Sequence, residues 1–281
     1  MMLSILTFNA ALLDVRIFNR SVYCPVAAVS NRLQRLIPAL LSLRPDIICL
    51  QEIFHYHLQQ QLCRQLADEF PQVTGCVSSG PVLRLGNELL TLSRHSLTAV
   101  KLVRFQRAAP EERLFTSKGF YHSTVVLPRL GSVNLINFHT TAGGVHAHPE
   151  HDRMETIRQH QIDQILVYAH AMEKVILVGD LNAGPHTSYR NYRQVLQAGF
   201  IDSCTVAEGD GYTWDPDNPL VAEGNEQHLP AQRIDHIFIS PTLAKMIKPI
   251  ATSIVLCDRN HPLSDHYGIM TRFEQSGQAV R

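Results

Sequence analysis

At six places the sequence sets a carboxylate, an amide or an imidazole at the edge of an apolar run. Asn9 follows Leu3 to Phe8, and Gln51-Glu52 follow Asp46 to Leu50. His139 follows Val133 to Phe138, while Asp180 and Asn182 follow Lys174 to Val178. Asp235 lies at the start of Ile234 to Ile239, and Asp265-His266 precede Tyr267 to Phe273. A lone Asp or Asn at such a point usually shapes a turn. Six of them point to one crevice, because α/β folds place ligands at an edge of the sheet. The residue types suit Mg²⁺, which takes oxygen ligands in octahedral geometry, often one or two carboxylates with waters and a substrate phosphate. Glu52 and Asp265 can hold such a cation, with Asn9 or Asn182 completing the oxygen shell. An imidazole beside a carboxylate can deprotonate water near neutral pH. His139 and Asn182 can donate to the negative charge that develops on phosphoryl oxygens. The chemistry implied is hydrolysis of a P–O bond by activated water. No G-x-S-x-G elbow, Walker A loop or G-x-G-x-x-G turn is present to suggest another course.

The elements that must position these residues are legible in outline. The apolar runs have the length of buried strands, and helical stripes lie between some of them. Leu33, Leu36, Ile37, Leu40 and Leu41 share one helix face, with Pro38 inside it to kink the helix or delay its start. Leu58, Leu62, Leu66 and Phe70 form a second stripe, ended by Pro71. Met154, Ile157, Gln161 and Ile165 mark a third helix, and Tyr192, Val195 and Leu196 a shorter fourth, stopped by Gly199. Residues 76 to 127 carry short apolar clusters that suit antiparallel strands and turns. No repeat or linker divides the chain, so residues 1–274 are expected to form one α/β domain, with 275–281 as a tail.

With 281 residues, 45% of them hydrophobic and 18% charged, there is material for a sizeable core. Lys plus Arg number 25, as do Asp plus Glu, so no overall basic excess draws the chain to nucleic acid. Six cysteines without C-x-x-C spacing exclude a zinc ribbon or thioredoxin-type motif and read as small core residues in a reducing compartment. No basic leader with a long apolar stretch opens the sequence, and no run approaches a membrane span. The expectation is a soluble cytoplasmic protein, with signal-independent export left open.

In this order, Thr7-Phe8-Asn9, Leu50-Gln51-Glu52, Asn137-Phe138-His139, Gly179-Asp180-Leu181-Asn182, Arg233-Ile234-Asp235 and Ser264-Asp265-His266 resemble the endonuclease/exonuclease/phosphatase superfamily. The resemblance implies a four-layer α/β sandwich, two packed mixed β-sheets with helices outside (a DNase I-like fold), and a Mg²⁺ site at one sheet edge, with Mn²⁺ as a substitute. It implies Glu52 as main metal ligand, assisted by Asn9 and Asp265. His266 would be the general base, oriented by Asp235, with Asp180 the alternative base. His139 would contact the scissile phosphate, and Asp180 and Asn182 would position water, phosphate and a second metal if there is one.

Within the superfamily, Val178 and Arg233-Ile234-Asp235 replace the tryptophan-bearing motifs of inositol polyphosphate 5-phosphatases. Phe115-Thr116-Ser117-Lys118-Gly119-Phe120 is similar to the lysine-glycine segment of neutral sphingomyelinases, which implies Lys118 near the phosphate. Against that stands a turn glycine beside a solvated lysine. The favoured substrate is therefore a phospholipid headgroup, reached by peripheral membrane contact through loops such as 140–152 or 208–230. The alternative is a nuclease or deadenylase, for which Arg16, Arg20, Arg104 and Arg107 would supply a basic stripe. His146, His148 and His151 are expected to be exposed loop residues. Trp214, the sole tryptophan, is read as a substrate-stacking, lipid-inserting or loop-packing residue.

Overall fold

Along a strand, successive side chains point to opposite faces, and that alternation decides which residues meet. The computed structural model describes residues 2–17, 20–75, 87–116, 118–143, 151–206, 211–222 and 228–276. The chain runs from β1 (Met2–Asn9) through a ribbon of β2 (Val15–Ile17) and β3 (Arg20–Tyr23) to α1 (Val29–Leu43) and β4 (Ile47–Gln51). Then come α2 (Tyr56–Leu66), β5 (Gln72–Thr74), β6 (Leu90–Ser93), β7 (Leu97–Arg104), α3 (Pro110–Phe115) and β8 (Gly119–Leu127). Next are β9 (Gly131–His139), α4 (His151–His170), β10 (Val175–Asp180), α5 (Tyr189–Gln197), β11 (Ile201–Asp202) and α6 (Ser203–Val206). Last are α7 (Pro219–Ala222), β12 (Asp235–Ile239), α8 (Pro241–Ala244), β13 (Ile247–Val255) and β14 (Gly268–Gln275).

Two six-stranded mixed sheets result, ordered β13-β14-β1-β4-β6-β5 and β11-β12-β10-β9-β8-β7. Leu3, Ile5, Ile47 and Cys49 of the first pack against Val133, Leu135, Ile176, Val178 and Ile237 of the second. On the outer face of the first sheet, Leu6, Phe8 and Ile48 meet Leu33, Leu36 and Leu40 of α1 and Leu62 of α2. On the outer face of the second, Ile136, Phe138 and Leu177 meet Ile162 and Ile165 of α4 and Val195 of α5. This is the expected four-layer sandwich. Helix α1 starts at Val29 and runs through Pro38, so the proline does not delay its start. One N–H is lost there, and packing of the apolar face on β1 and β4 outweighs that loss. The antiparallel reading of 76 to 127 holds for β6, β7 and β8, whereas residues 76–86 lie outside the described residues and α3 was not expected. The last strand reaches Gln275; residues 277–281 also lie outside. Among the described residues, no helix is long and apolar enough to cross a membrane.

The interface between the sheets is mostly apolar and turns polar over its last layers toward the strand ends. Following Leu3-Ile5, Thr7 and then Asn9 occupy the inward face of β1. In β9 the series Val133-Leu135 continues to Asn137 and His139, in β10 Ile176-Val178 to Asp180, and in β12 Ile239-Ile237 to Asp235. The register sets these ends side by side: Asn9 pairs with Gln51, and Asp180 with both His139 and Asp235. A buried amide bridge holds the sheets to one another just below. Gln51 Nε2 donates to Asn137 Oδ1 (2.8 Å) and Thr7 Oγ1 (3.1 Å), and Asn137 Nδ2 donates to Leu50 O, Leu90 O and Thr91 Oγ1 (3.3 Å each).

A second buried polar group closes the far side of the second sheet. Asp202 Oδ2 accepts from Arg233 Nη1 (2.7 Å) and Tyr192 OH (2.9 Å) and faces His236 Nδ1 (3.2 Å). Burial alone would raise the Asp202 carboxyl, but the hydrogen bond and charge of His236 and the charge of Arg233 hold it well below the usual carboxylate range. A depressed folded-state value stabilises the fold above the unfolded carboxyl's value, about 3.9, and the stabilisation is lost as pH falls through the folded one. Asp202→Asn leaves a buried guanidinium without its partner, a loss of about 3–5 kcal/mol. Urea unfolding at neutral pH should show that loss. Below about pH 4 the variant should lose less further stability than the wild type; parallel acid limbs would contradict the assignment.

Candidate active site

At the strand-end edge the polar layer opens into a cleft of about 580 Å³. Glu52, Lys118, His139, Asp180, Asn182, Asp265 and His266 line it. Asn9 and Asp235 lie just beneath, both fully buried. All nine residues singled out from sequence thus come to one place, from both sheets and their following loops.

Backbone geometry brings the groups to bear. Glu52 sits at φ 60° and Asn182 at φ 50°, left-handed conformations that cost a non-glycine residue about 1–3 kcal/mol and persist where the surroundings enforce them. Gly179 has φ 144°, and a Cβ there would lie 1.9 Å from Phe138 O. Only glycine lets β10 approach β9 closely enough to set Asp180 beside His139.

The side chains form linked pairs. Asn9 Nδ2 donates to Glu52 Oε1 and to Asp180 Oδ2, both at 3.0 Å, while its Oδ1 accepts the Ala11 N–H at 3.1 Å. Asp180 Oδ1 accepts the Asn182 N–H (2.8 Å), and Asn182 Nδ2 donates to Thr140 O (3.2 Å). His266 Nδ1 is 2.9 Å from Asp235 Oδ2, and its Nε2 is 3.9 Å from Asp180 Oδ2. His139 is likewise set against a buried carboxylate, by proximity rather than through an aligned hydrogen bond: Nδ1 lies 3.0 Å from Glu88 Oε1, and Nε2 lies 3.5 Å from Asp180 Oδ2 and 3.9 Å from Glu52 Oε1. Two imidazoles, each backed by a buried carboxylate, therefore flank Asp180.

Lys118 is not a solvated turn lysine. It is 8% exposed, and its Nζ lies 3.0 Å from Glu112 Oε1, 3.2 Å from Thr140 O and 3.2 Å from His139 Nε2. Glu112, from α3, also accepts from Thr141 Oγ1 at 2.6 Å. Trp214 is 4% exposed, packs with Val221 and Ile234 and lines the cleft, which excludes it from inserting into a lipid surface. His151 is buried at the start of α4 rather than exposed, and His146 and His148 lie outside the described residues. Glu88 and Glu112 were missed in the sequence: Glu88 is a lone acid and Glu112 one of an adjacent acidic pair, both in stretches without strong periodicity.

Burial pushes the Glu52 carboxyl above the usual carboxylate range, and Asp265 pushes it further, against His139, the Asn9 amide and Lys118. Burial would also raise Asp180, but His139, His266 and the Asn9 and Asn182 N–H groups hold it low. Burial acts to lower His266, and the Asp235 carboxylate, aided by Asp180 and Asp265, instead lifts it well above its ordinary value. The negative charge left unmatched is on the Glu52–Asp265 side, where carboxylate oxygens open to the cleft are the donors a hard divalent cation takes. Donor atoms of Asp180, Asp235 and His266, all within 4.8 Å of one another, form a further set that could hold a metal.

The model of the Endonuclease/Exonuclease/phosphatase family matches residues 6–266. A comparison with curated proteins finds no match. Among solved structures, sphingomyelinase C from Streptomyces griseocarneus is similar at 18% identity with a TM-score of 0.77, over 97% of this chain and 99% of that one. A beta toxin from Staphylococcus aureus with bound magnesium ions matches at 17% identity and TM-score 0.78, over 96% and 99%. D. rerio TDP2 complexed with a single-strand DNA product matches at 18% identity and TM-score 0.68, over 97% and 99%. At these identities the likeness is one of fold.

The Asp235–His266 pair makes a direct prediction for the protein in chelator. NMR titration of the His266 ring should give a lower pKa in Asp235→Asn than in the wild type. A raised folded-state value stabilises the fold fully below the unfolded imidazole's value, about 6.5, and is lost as pH rises through the folded value. The wild type should accordingly lose stability along that alkaline limb, and Asp235→Asn should flatten it. An unchanged ring titration would contradict the pairing.

Proposed function

Because this chain belongs to the endonuclease/exonuclease/phosphatase family, we propose that it hydrolyses a phosphodiester by direct attack of water, with residues 1–274 as one catalytic domain. The observation that carries the reading is the pair of carboxylate-backed imidazoles, Asp235–His266 and Glu88–His139, on either side of Asp180 and beside Glu52. Glu52 is the main ligand of a divalent cation, Mg²⁺ or Mn²⁺, with Asp265 and Asn9 assisting. Such a cation, when bound, would polarise the phosphoryl oxygens as a Lewis acid. His266 takes the proton of the attacking water at Nε2 while Asp235 holds Nδ1–H and stabilises the imidazolium. Asp180, held ionised between the two imidazoles, orients that water. His139 and Lys118 donate to the phosphoryl oxygens as negative charge builds there, and Asn182 fixes the floor through Thr140 O.

For the substrate, a phospholipid headgroup is the favoured reading. Above its charged floor the cleft has apolar walls, with Leu13, Val26 and Phe54 among the lining residues and Trp214, Val221 and Ile234 contributed by the segments before β12. Among the described residues, Lys118 is the only lysine or arginine lining it. Nucleic-acid sites set lysine and arginine against successive phosphates, and Arg20, Arg104 and Arg107 are exposed outside this lining. The fold shared with a sphingomyelinase C supports the same reading. The nuclease alternative draws on the equally full overlap with a DNA-bound TDP2.

A substrate panel of sphingomyelin vesicles, short RNA, single-strand DNA and inositol phosphates, each with Mg²⁺, Mn²⁺ or chelator, tests this. Choline phosphate should be released from the vesicles, and chelator should abolish the release. His266→Ala should lower kcat by roughly 10²–10⁴-fold with little change in KM, and Glu52→Ala should lose the cation dependence. Cleavage of oligonucleotides with no release from vesicles would transfer the reading to the nuclease branch. Undiminished turnover in both variants would sink the catalytic assignment.

A further inference from the structure

Arg32 is one of the largest fully buried side chains, 1% exposed in the first turn of α1. Its five N–H groups are all engaged. Nε donates to Ala27 O (2.8 Å), Nη1 to Ala10 O (2.9 Å) and Leu263 O (2.8 Å), and Nη2 to Ala11 O (2.7 Å) and Val26 O (3.0 Å). Every acceptor is a backbone carbonyl. A guanidinium buried to neutralise charge would take a carboxylate in its bidentate fork. This one joins three backbone segments, and two of them run straight into the cleft.

The first is the turn after β1. Ala11 sits at φ 48°, an unfavourable conformation for alanine that needs outside support. In that turn the Ala11 N–H occupies Asn9 Oδ1, which leaves Asn9 Nδ2 to bridge Glu52 and Asp180. The Leu12 N–H, next in line, donates to Glu52 O at 3.0 Å. The second is the segment before β14. After Leu263, Ser264 Oγ donates to Asp265 Oδ1 (3.0 Å) and accepts the His266 N–H (3.2 Å). Arg35, one turn further along α1, holds the neighbouring Pro262 O at 3.0 Å.

We propose that Arg32 is the positioning residue for the cation-binding side of the cleft, setting Asn9 and Glu52 from one backbone segment and Asp265 from another. This rests on the reading of Glu52, Asn9 and Asp265 as a cation site. Arg32 touches neither cation nor substrate; it acts through the carbonyls of Ala10, Ala11 and Leu263.

Calorimetric titration of Mn²⁺ into the full chain tests the clamp without relying on turnover. Arg32→Lys keeps the charge but cannot reach five carbonyls. Its Mn²⁺ dissociation constant should rise about 10-fold or more, the usual effect of losing a group that orients metal ligands. Leu40→Ala is the control for stability alone: it removes a buried contact from the same helix, lowers the melting temperature, and should leave Mn²⁺ affinity unchanged. If Arg32→Lys does not fold, Ser264→Ala interrupts the relay to Asp265 and should weaken Mn²⁺ in the same direction. Wild-type affinity in Arg32→Lys, or in Ser264→Ala where that variant stands in, overturns the clamp while leaving the cation site standing. So does equal weakening in Leu40→Ala. A wild-type protein that binds no Mn²⁺ overturns the metal-dependent reading itself, and the clamp with it.

Discussion

The hydrogen bond from Gln51 to Asn137 passes from one sheet to the other one residue below Glu52 and two below His139. An interface of aliphatic side chains alone would tolerate sliding, because apolar contact has no direction. A buried amide pair does not. Moving one sheet by a residue would strand the Gln51 and Asn137 amides away from water, at about 1–3 kcal/mol for each unsatisfied group. The relative position of the two sheets, and so the spacing of Glu52 and His139, depends on that bridge and on the Thr7 and Thr91 hydroxyls that complete it.

Above the bridge, the difficulty is one of charge. Glu52, Glu88, Asp180 and Asp235 come together with His139, His266 and Lys118 in a space largely withdrawn from water. Each buried ion is tolerable only with a partner. The pairing is uneven: Asp235 has His266, Glu88 has His139, Glu112 has Lys118, and Asp180 is shared by both imidazoles and the Asn9 amide. Glu52 has only the Asn9 amide and the more distant His139 imidazole, and burial, with the charge of Asp265 added, raises its carboxyl. The asymmetry makes one end of the cleft an acceptor of positive charge and the other a place where a proton can be held and released.

Residues at the ends of the inward-facing strand series were legible in the sequence because two signals coincide there, an apolar run of strand length and an abrupt change to a polar type. Asn9, His139, Asp180 and Asp235 all have that form. The outer helices were legible from their stripes. Glu88, Glu112, Arg32 and Arg158 carried no such mark. A buried arginine bonded to carbonyls, as Arg32 is to Ala10 and Leu263, or Arg158 to Thr141 and Gly143, looks in sequence like any solvent-facing residue of an amphipathic helix. Its role depends on loops distant in the chain, and one sequence holds no trace of that proximity. Trp214 was ambiguous for a similar reason, since its burial is decided by Val221, Ile234 and the main chain of His266.

The pairing of β1 with β14, Leu3 opposite Phe273 and Thr7 opposite Ile269, has a consequence for the order of assembly. Until β14 arrives, β1 is an open edge with unpaired backbone groups, and such edges invite pairing with other chains. Its partner β14 follows every other described strand along the chain, and contacts of such long sequence separation form slowly. Asp265 and His266 immediately precede that strand. Closure of the first sheet and completion of the cleft are therefore a single late event, and a nascent chain stalled before it holds most of a fold, none of the chemistry and an exposed strand.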